Sequence, residues 1–150
     1  MAEILTKDTI RLQADVATKE EAIIQAGELL VQSGCVKADY VKGMLEREKT
    51  MSTFVGNGVS IPHGQFDDLS LVNRTGISVL QIPKGVDWLP GGTAYLIVGI
   101  AATSEEHIGI LANLAEVVED EETAKMLAET DDKEVILEYL NRAPRKKPGE

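Results

Sequence analysis

At 150 residues, 43% hydrophobic and 27% charged, the chain has the size and balance of one globular domain able to bury a core, which excludes the disordered and fibrous classes. A formal net charge of −10 argues against a nucleic-acid partner, whose phosphates need basic patches; a basic protein partner and plain solubility explain the acid equally well. The longest apolar run, AYLIVGIAA at 94–102, is half of what a bilayer requires, and MAEILTKDTI lacks the regions of a secretory leader, so a cytoplasmic protein without direct membrane insertion is expected.

In chain order, Thr18 and Glu21 make a capping box, followed by Ala22, Ile23, Ala26, Leu29 and Leu30 at helical spacing. Gly34 supplies the stop. The single cysteine, Cys35, has no bridging partner and no neighbouring cation beyond Lys37, so it reads as a small filler. Asp39 is placed as the N-cap of a second helix, with Tyr40, Val41, Met44 and Leu45 on its apolar side and EREK at its end, stopping near Met51. A glycine-rich loop, GNGVSIPHGQ at 56–65, comes next.

TGISVLQIP at 75–83 has the β-branched content of a strand ended by Pro83, and PKG at 83–85 reads as a turn. The unalternating run at 94–102 fits a central strand buried on both faces, which requires helices on both sides. Thr103 and Glu106 repeat the capping box and open a third helix through EEHIGILANLAEVVED; further helices follow at about 121–129 and 131–142. Pro144 ends the last, and the remaining tail is expected to fray. TIRL at 9–12, VSI at 59–61 and LSLV at 69–72 fit strand or loop. No repeat or linker is visible. The expected fold class is therefore α/β: one domain over residues 1–143 with a tail at 144–150, its small mixed sheet lying between two helical layers.

The loop raises the functional question. His63, one of two histidines, stands between Pro62, which fixes its own φ, and Gly64, which permits almost any φ. A lone imidazole mounted in this way suits a metal ligand, a general base or a nucleophile. A metal site needs three or four ligands, and no HExxH, HxxEH or CxxC pattern is present; no GxSxG elbow offers a hydroxyl nucleophile. The ring nitrogen itself remains. Mostly neutral at an unperturbed pKa of about 6.5, it carries a lone pair able to attack phosphorus.

A phosphoryl acceptor needs donors for its developing charge. Glycines 56, 58 and 64 leave bare amides around His63 that could approach an anion. His107 falls in the first turn of the third helix, just past the buried strand, where amides attract anions. A helix histidine on the stripe of Leu111, Leu114 and Val118 is the plainer reading. Arg47, near the end of the second helix within EREK, reads on spacing alone as part of a solvated charge run.

Taken in order, YVKGMLEREKTMSTFVGNGVSIPHG, LIVGIAA and EEHIGILANLAEVVED closely resemble the enzyme IIA domain of the bacterial phosphoenolpyruvate-dependent sugar phosphotransferase system, mannitol and fructose type, from about residue 3 to 142. The resemblance implies a mixed five-stranded sheet flanked by helices. It implies that His63 is the phosphoryl acceptor, as a tele-phosphohistidine, with His107 beside it and Arg47 stabilising the phosphoryl group. By the same resemblance the donor is the phosphocarrier HPr, whose basic surface suits an acidic partner, and the acceptor is a IIB domain on another polypeptide; no metal, nucleotide or other cofactor takes part. PHG, REK and KGVDW at 84–88 look most like the mannitol type. The alternative is a fructose-type or nitrogen-regulatory IIA acting as a phosphorylation-dependent docking module. A ligand-binding domain without phosphoryl chemistry is the third reading.

Overall fold

The structure is a computed structural model that describes residues 5–65, 70–102 and 104–140. Its elements run β1 (Ile10–Arg11), α1 (Lys19–Gln32), α2 (Tyr40–Thr50), β2 (Phe54–Gly56), β3 (Val59–Ser60), β4 (Gly76–Leu89), β5 (Gly92–Ala101), α3 (Ser104–Glu119), α4 (Glu121–Glu129) and α5 (Lys133–Leu140). The strands form one five-stranded mixed sheet in the order β1-β4-β5-β3-β2, with β4 and β5 antiparallel and the β1–β4 and β3–β5 pairs parallel.

β5 is central, as its continuous apolar run requires. Leu96, Val98 and Ile100 pack with Ile77 and Val79 of β4 against Leu114 and Val118 of α3, Leu127 of α4 and Ile136 of α5. Ile97 and Ala101 pack with Leu80 and Ile82 against Ile23, Ala26 and Leu30 of α1 and Met44 of α2. Alternate side chains thus feed two cores, and burying both faces excludes water from the sheet's backbone bonds. Cys35 lies in the second of these cores, a filler as expected.

Local chemistry decides the helix ends. The Thr18 hydroxyl accepts from Glu21 N, while the Glu21 carboxylate reaches back to Ala17 N. Gly34, at φ +85°, closes α1 with the paired bonds Cys35 N to Leu30 O and Gly34 N to Val31 O that define a Schellman stop. Asp39 departs from expectation: it precedes α2, but its backbone is already helical and its side chain caps nothing. The chain enters α2 through a tight turn, Tyr40 N bonding to Lys37 O, and the first amides use backbone carbonyls.

PKG is not a turn. β4 continues through it to Leu89, and the reversal comes at Pro90–Gly91. The ladder shifts register between Gln81 and Val86, so Pro83 sits where its missing N–H is not needed. Gly85 carries the bulge at φ +76°, where an added Cβ would lie 2.7 Å from both Thr93 Cγ2 and Tyr95 Cε1. Gly85→Ala is expected to lower unfolding free energy by about 2 kcal/mol, measured by urea denaturation, because the left-handed backbone and the crowding both oppose a methyl group.

Of the ambiguous stretches, TIRL and VSI supply β1 and β3. Within LSLV, Val72 makes only an isolated bridge to Val36, and Leu69 lies outside the described residues. β2 was not expected. The Thr103 cap, the Glu106 side chain, the end of the last helix, Pro144 and the boundary at 143 also lie outside what is described.

Candidate active site

β3 runs parallel to β5, with Val59 opposite Leu96 and Ser60 opposite Ile97. That register continues past β3: Ile100 N donates to Pro62 O at 2.9 Å, and His63 bridges to Ile100. Pro62 contributes a carbonyl where one is needed and lacks only an N–H that the geometry does not use. His63 is thereby held at the C-terminal end of the central strand, where open α/β sheets place their ligands.

The ring is oriented by its own loop. Nδ1 of His63 lies 2.9 Å from Ile61 O. A carbonyl oxygen can only accept, so Nδ1 carries the proton and the lone pair of the neutral ring is on Nε2. With His63 only 9% exposed, this bond sets the direction of a side chain that has little room to swing.

Tyr40 ties the far side of the loop. Its buried hydroxyl donates to Ile100 O at 2.8 Å and accepts from Gly64 N at 2.9 Å, joining α2 to β5 and to the residue after His63. Gly64 is explained by this contact rather than by conformational freedom, since its φ is not among the positive ones. A Cβ there would lie 2.6 Å from Tyr40 Cε1 and 2.8 Å from Tyr40 Cζ. Only a hydrogen fits between the loop and the ring.

The other glycines have a different task. Gly56 and Gly58, at φ +91° and +76°, form the β2–β3 turn with Asn57, and Gly58 O accepts from Tyr95 N and Leu96 N. Val59 is level with Leu96 and His63 with Ile100, so the turn stands about 13 Å along the strand from His63. The expected amide cradle from Gly56 and Gly58 is therefore not at His63.

Arg47 lies in the last turn of α2, the helix that also carries Tyr40. Its Nη1 donates to Met51 O at 2.7 Å, capping its own helix and using one of the five donors of a guanidinium. The structure thus joins His63 to Ile61, Tyr40, Gly64 and Ile100, and in this arrangement turns Arg47 to its helix end. His107 is in the first turn of α3, which begins at Ser104 just beyond the end of β5; its side chain lies outside the described residues. Tyr40 was legible only as an apolar helix position, and the Ile61 carbonyl has no signal in any side chain.

What remains chemically is a histidine whose neutral ring holds its lone pair on Nε2, at the C-terminal end of β5, with α3 beginning at Ser104 shortly after that strand ends. No helix of the described residues is long and apolar enough to cross a membrane.

The chain matches the family described as phosphoenolpyruvate-dependent sugar phosphotransferase system, EIIA 2, over residues 3–143. It is 46% identical over 142 residues to a multiphosphoryl transfer protein of Xanthomonas campestris pv. campestris, covering 93% of this chain but only 17% of that relative's length. It is 42% identical over 139 residues to the mannitol-specific phosphotransferase enzyme IIA component of Bacillus subtilis, covering 93% of this chain and 97% of the relative. Among solved structures, the IIA chain in the complex of mannitol enzyme IIA with phosphorylated mannitol enzyme IIB from Escherichia coli superposes with a TM-score of 0.85 at 38% identity, covering 91% of this chain and 96% of the other.

Proposed function

This chain belongs to the EIIA 2 family of the phosphoenolpyruvate-dependent sugar phosphotransferase system, and from that membership we propose that it is a mannitol-type IIA phosphocarrier of the cytoplasm, taking a phosphoryl group from phospho-HPr onto His63 and passing it to a mannitol-type IIB. The observation that carries this reading is the bond from His63 Nδ1 to Ile61 O. It directs the lone pair to Nε2, which attacks phosphorus while the donor's P–N bond breaks and its electron pair returns to the donor imidazole. The ring becomes a phosphoimidazolium with its proton still on Nδ1, and the Ile61 carbonyl accepts a charge-assisted hydrogen bond that strengthens as the positive charge develops. Delivery to IIB is the reverse step toward another nucleophile.

The in-flight phosphoryl group spreads negative charge over its oxygens. The N-terminal amides of α3 suit that charge, and His107 on the same turn is the proposed partner of His63. Arg47 is the proposed cation, reached by exchanging Met51 O for phosphoryl oxygen. Arg47→Ala should slow transfer by about 10²-fold with unfolding free energy changed by less than about 0.5 kcal/mol. A wild-type transfer rate in that variant removes Arg47 from the site. The net charge of −10 suits a donor with a basic surface.

The test is exchange. Protein charged by enzyme I, HPr and phosphoenolpyruvate should bear one acid-labile, base-stable phosphate, lose it rapidly to a mannitol IIB, and yield mannitol 1-phosphate when IIC membranes are added. Label that stays in place with a mannitol IIB overturns the transport reading in favour of a regulatory one.

A further inference from the structure

Glu48 is the one carboxylate side chain in the buried interior among the described residues, 7% exposed, and the reaction above gives it no role. Everything that faces it donates. Thr53 N lies 3.2 and 3.1 Å from its two oxygens, Thr53 Oγ1 is 2.6 Å from Oε2, and Trp88 Nε1 is 2.6 Å from Oε1. No cation pairs with it among the described residues. For stability alone an apolar residue would serve such a site as well as a buried charge, which must be matched bond by bond to offset its lost hydration.

The bonds lead to the active site. Thr53 Oγ1 meets Ser60 Oγ at 3.0 Å, Thr53 O accepts from Ile61 N at 3.0 Å, and Ile61 O is the oxygen that holds His63 Nδ1. Glu48 thus grips Thr53 by both its N–H and its hydroxyl, Thr53 grips Ser60 and Ile61, and Ile61 aims the imidazole. Resting on the reading that His63 Nε2 carries the phosphoryl group, we propose that Glu48 is a positioning residue that sets the proton position and orientation of His63 through Thr53 and Ile61. Glutamine replaces it only imperfectly: with its oxygen toward Trp88, the amide nitrogen reverses the bond to the Thr53 hydroxyl and stands 3.1 Å from Thr53 N, itself a donor, so the segment before His63 would shift. Displacement of a reacting group by about 1 Å costs on the order of 10²-fold in rate.

The experiment compares wild type, Glu48→Gln and Trp88→Phe, all shown folded by circular dichroism at the assay temperature. Trp88→Phe removes the indole donor but leaves the grip on Thr53, so it controls for lost stability. Two readouts are taken: nitrogen-15 NMR of the neutral His63 ring, which reports which nitrogen holds the proton, and the rate of label uptake from phospho-HPr. Wild type and Trp88→Phe should keep the proton on Nδ1 and transfer within about threefold of each other, whereas Glu48→Gln should show mixed tautomers and a rate lower by about 30- to 100-fold. A wild-type rate or a wild-type proton position in Glu48→Gln overturns the proposal, as does an equal loss of rate in Trp88→Phe. If Glu48→Gln does not fold, Thr53→Val carries the same two readouts, with a loss of about tenfold expected and wild-type values overturning the proposal. Absence of label on wild type would instead sink the phosphocarrier reading, while the tautomer measurement still decides the role of Glu48.

Discussion

His63→Gln is expected to fold and to take up no phosphate. The glutamine carboxamide places its nitrogen where Nε2 stood and not at Nδ1, so the bond to Ile61 O is lost while most of the side-chain bulk is kept, and unfolding free energy should change by about 1 kcal/mol. Chemistry fails for a separate reason: an amide nitrogen has its lone pair delocalised and cannot form the P–N bond. Removal of a covalent nucleophile acts on the scale of 10⁴-fold or more, so label from phosphoenolpyruvate through enzyme I and HPr should fall to background. Mass mapping of charged wild type should place the phosphate on His63. Label retained by His63→Gln, or found on another side chain, removes the phosphocarrier assignment of this residue.

Gly64→Ala is the second large effect, and it separates space from backbone freedom. Because φ at Gly64 is not positive, alanine is conformationally permitted there, and a glycine chosen for flexibility would tolerate it. Space forbids it. The methyl group would meet Tyr40 at 2.6 Å, and Tyr40 cannot withdraw without breaking its bonds to Ile100 O and Gly64 N. Overpacking should cost about 2 kcal/mol, and the displaced loop should slow transfer by about 10²-fold. The double variant Gly64→Ala with Tyr40→Phe shortens the ring by its hydroxyl but leaves Cε1 in place, so it should recover little. Transfer and thermal stability measured side by side check both halves; wild-type values for Gly64→Ala would mean the loop relaxes at no cost.

The candidate site was legible where side chains carry chemistry and illegible where the backbone does. His63 stood out because its neighbours are proline and glycine in a chain with one other histidine. The loop's backbone fasteners are the carbonyls of Ile61, Pro62 and Ile100 and the amide of Ile100, main-chain groups that carry no residue-specific signal. Tyr40 reads in the sequence as an apolar helix position and Trp88 only as part of KGVDW; their polar ends matter only once α2 is brought against β5 and β4. Glu48 is an ordinary member of EREK until the tertiary fold buries it. The same limit explains PKG, a turn by local preference that becomes a bulge because β5 offers β4 a partner on both sides of Gly85.

Determined by the sequence alone were the helix limits, through Thr18 and Gly34, the two-faced burial of β5, through an apolar run without alternation, and the family to which the chain belongs. These are properties of neighbouring residues or of period along the chain, and neither needs a distant partner. Only the tertiary structure decided the strand order, the second strand, the reason for glycine at 64 and the bond that assigns the His63 proton. Each of those depends on two segments remote in sequence meeting within hydrogen-bond distance or van der Waals contact, and such distances are absent from a one-dimensional pattern.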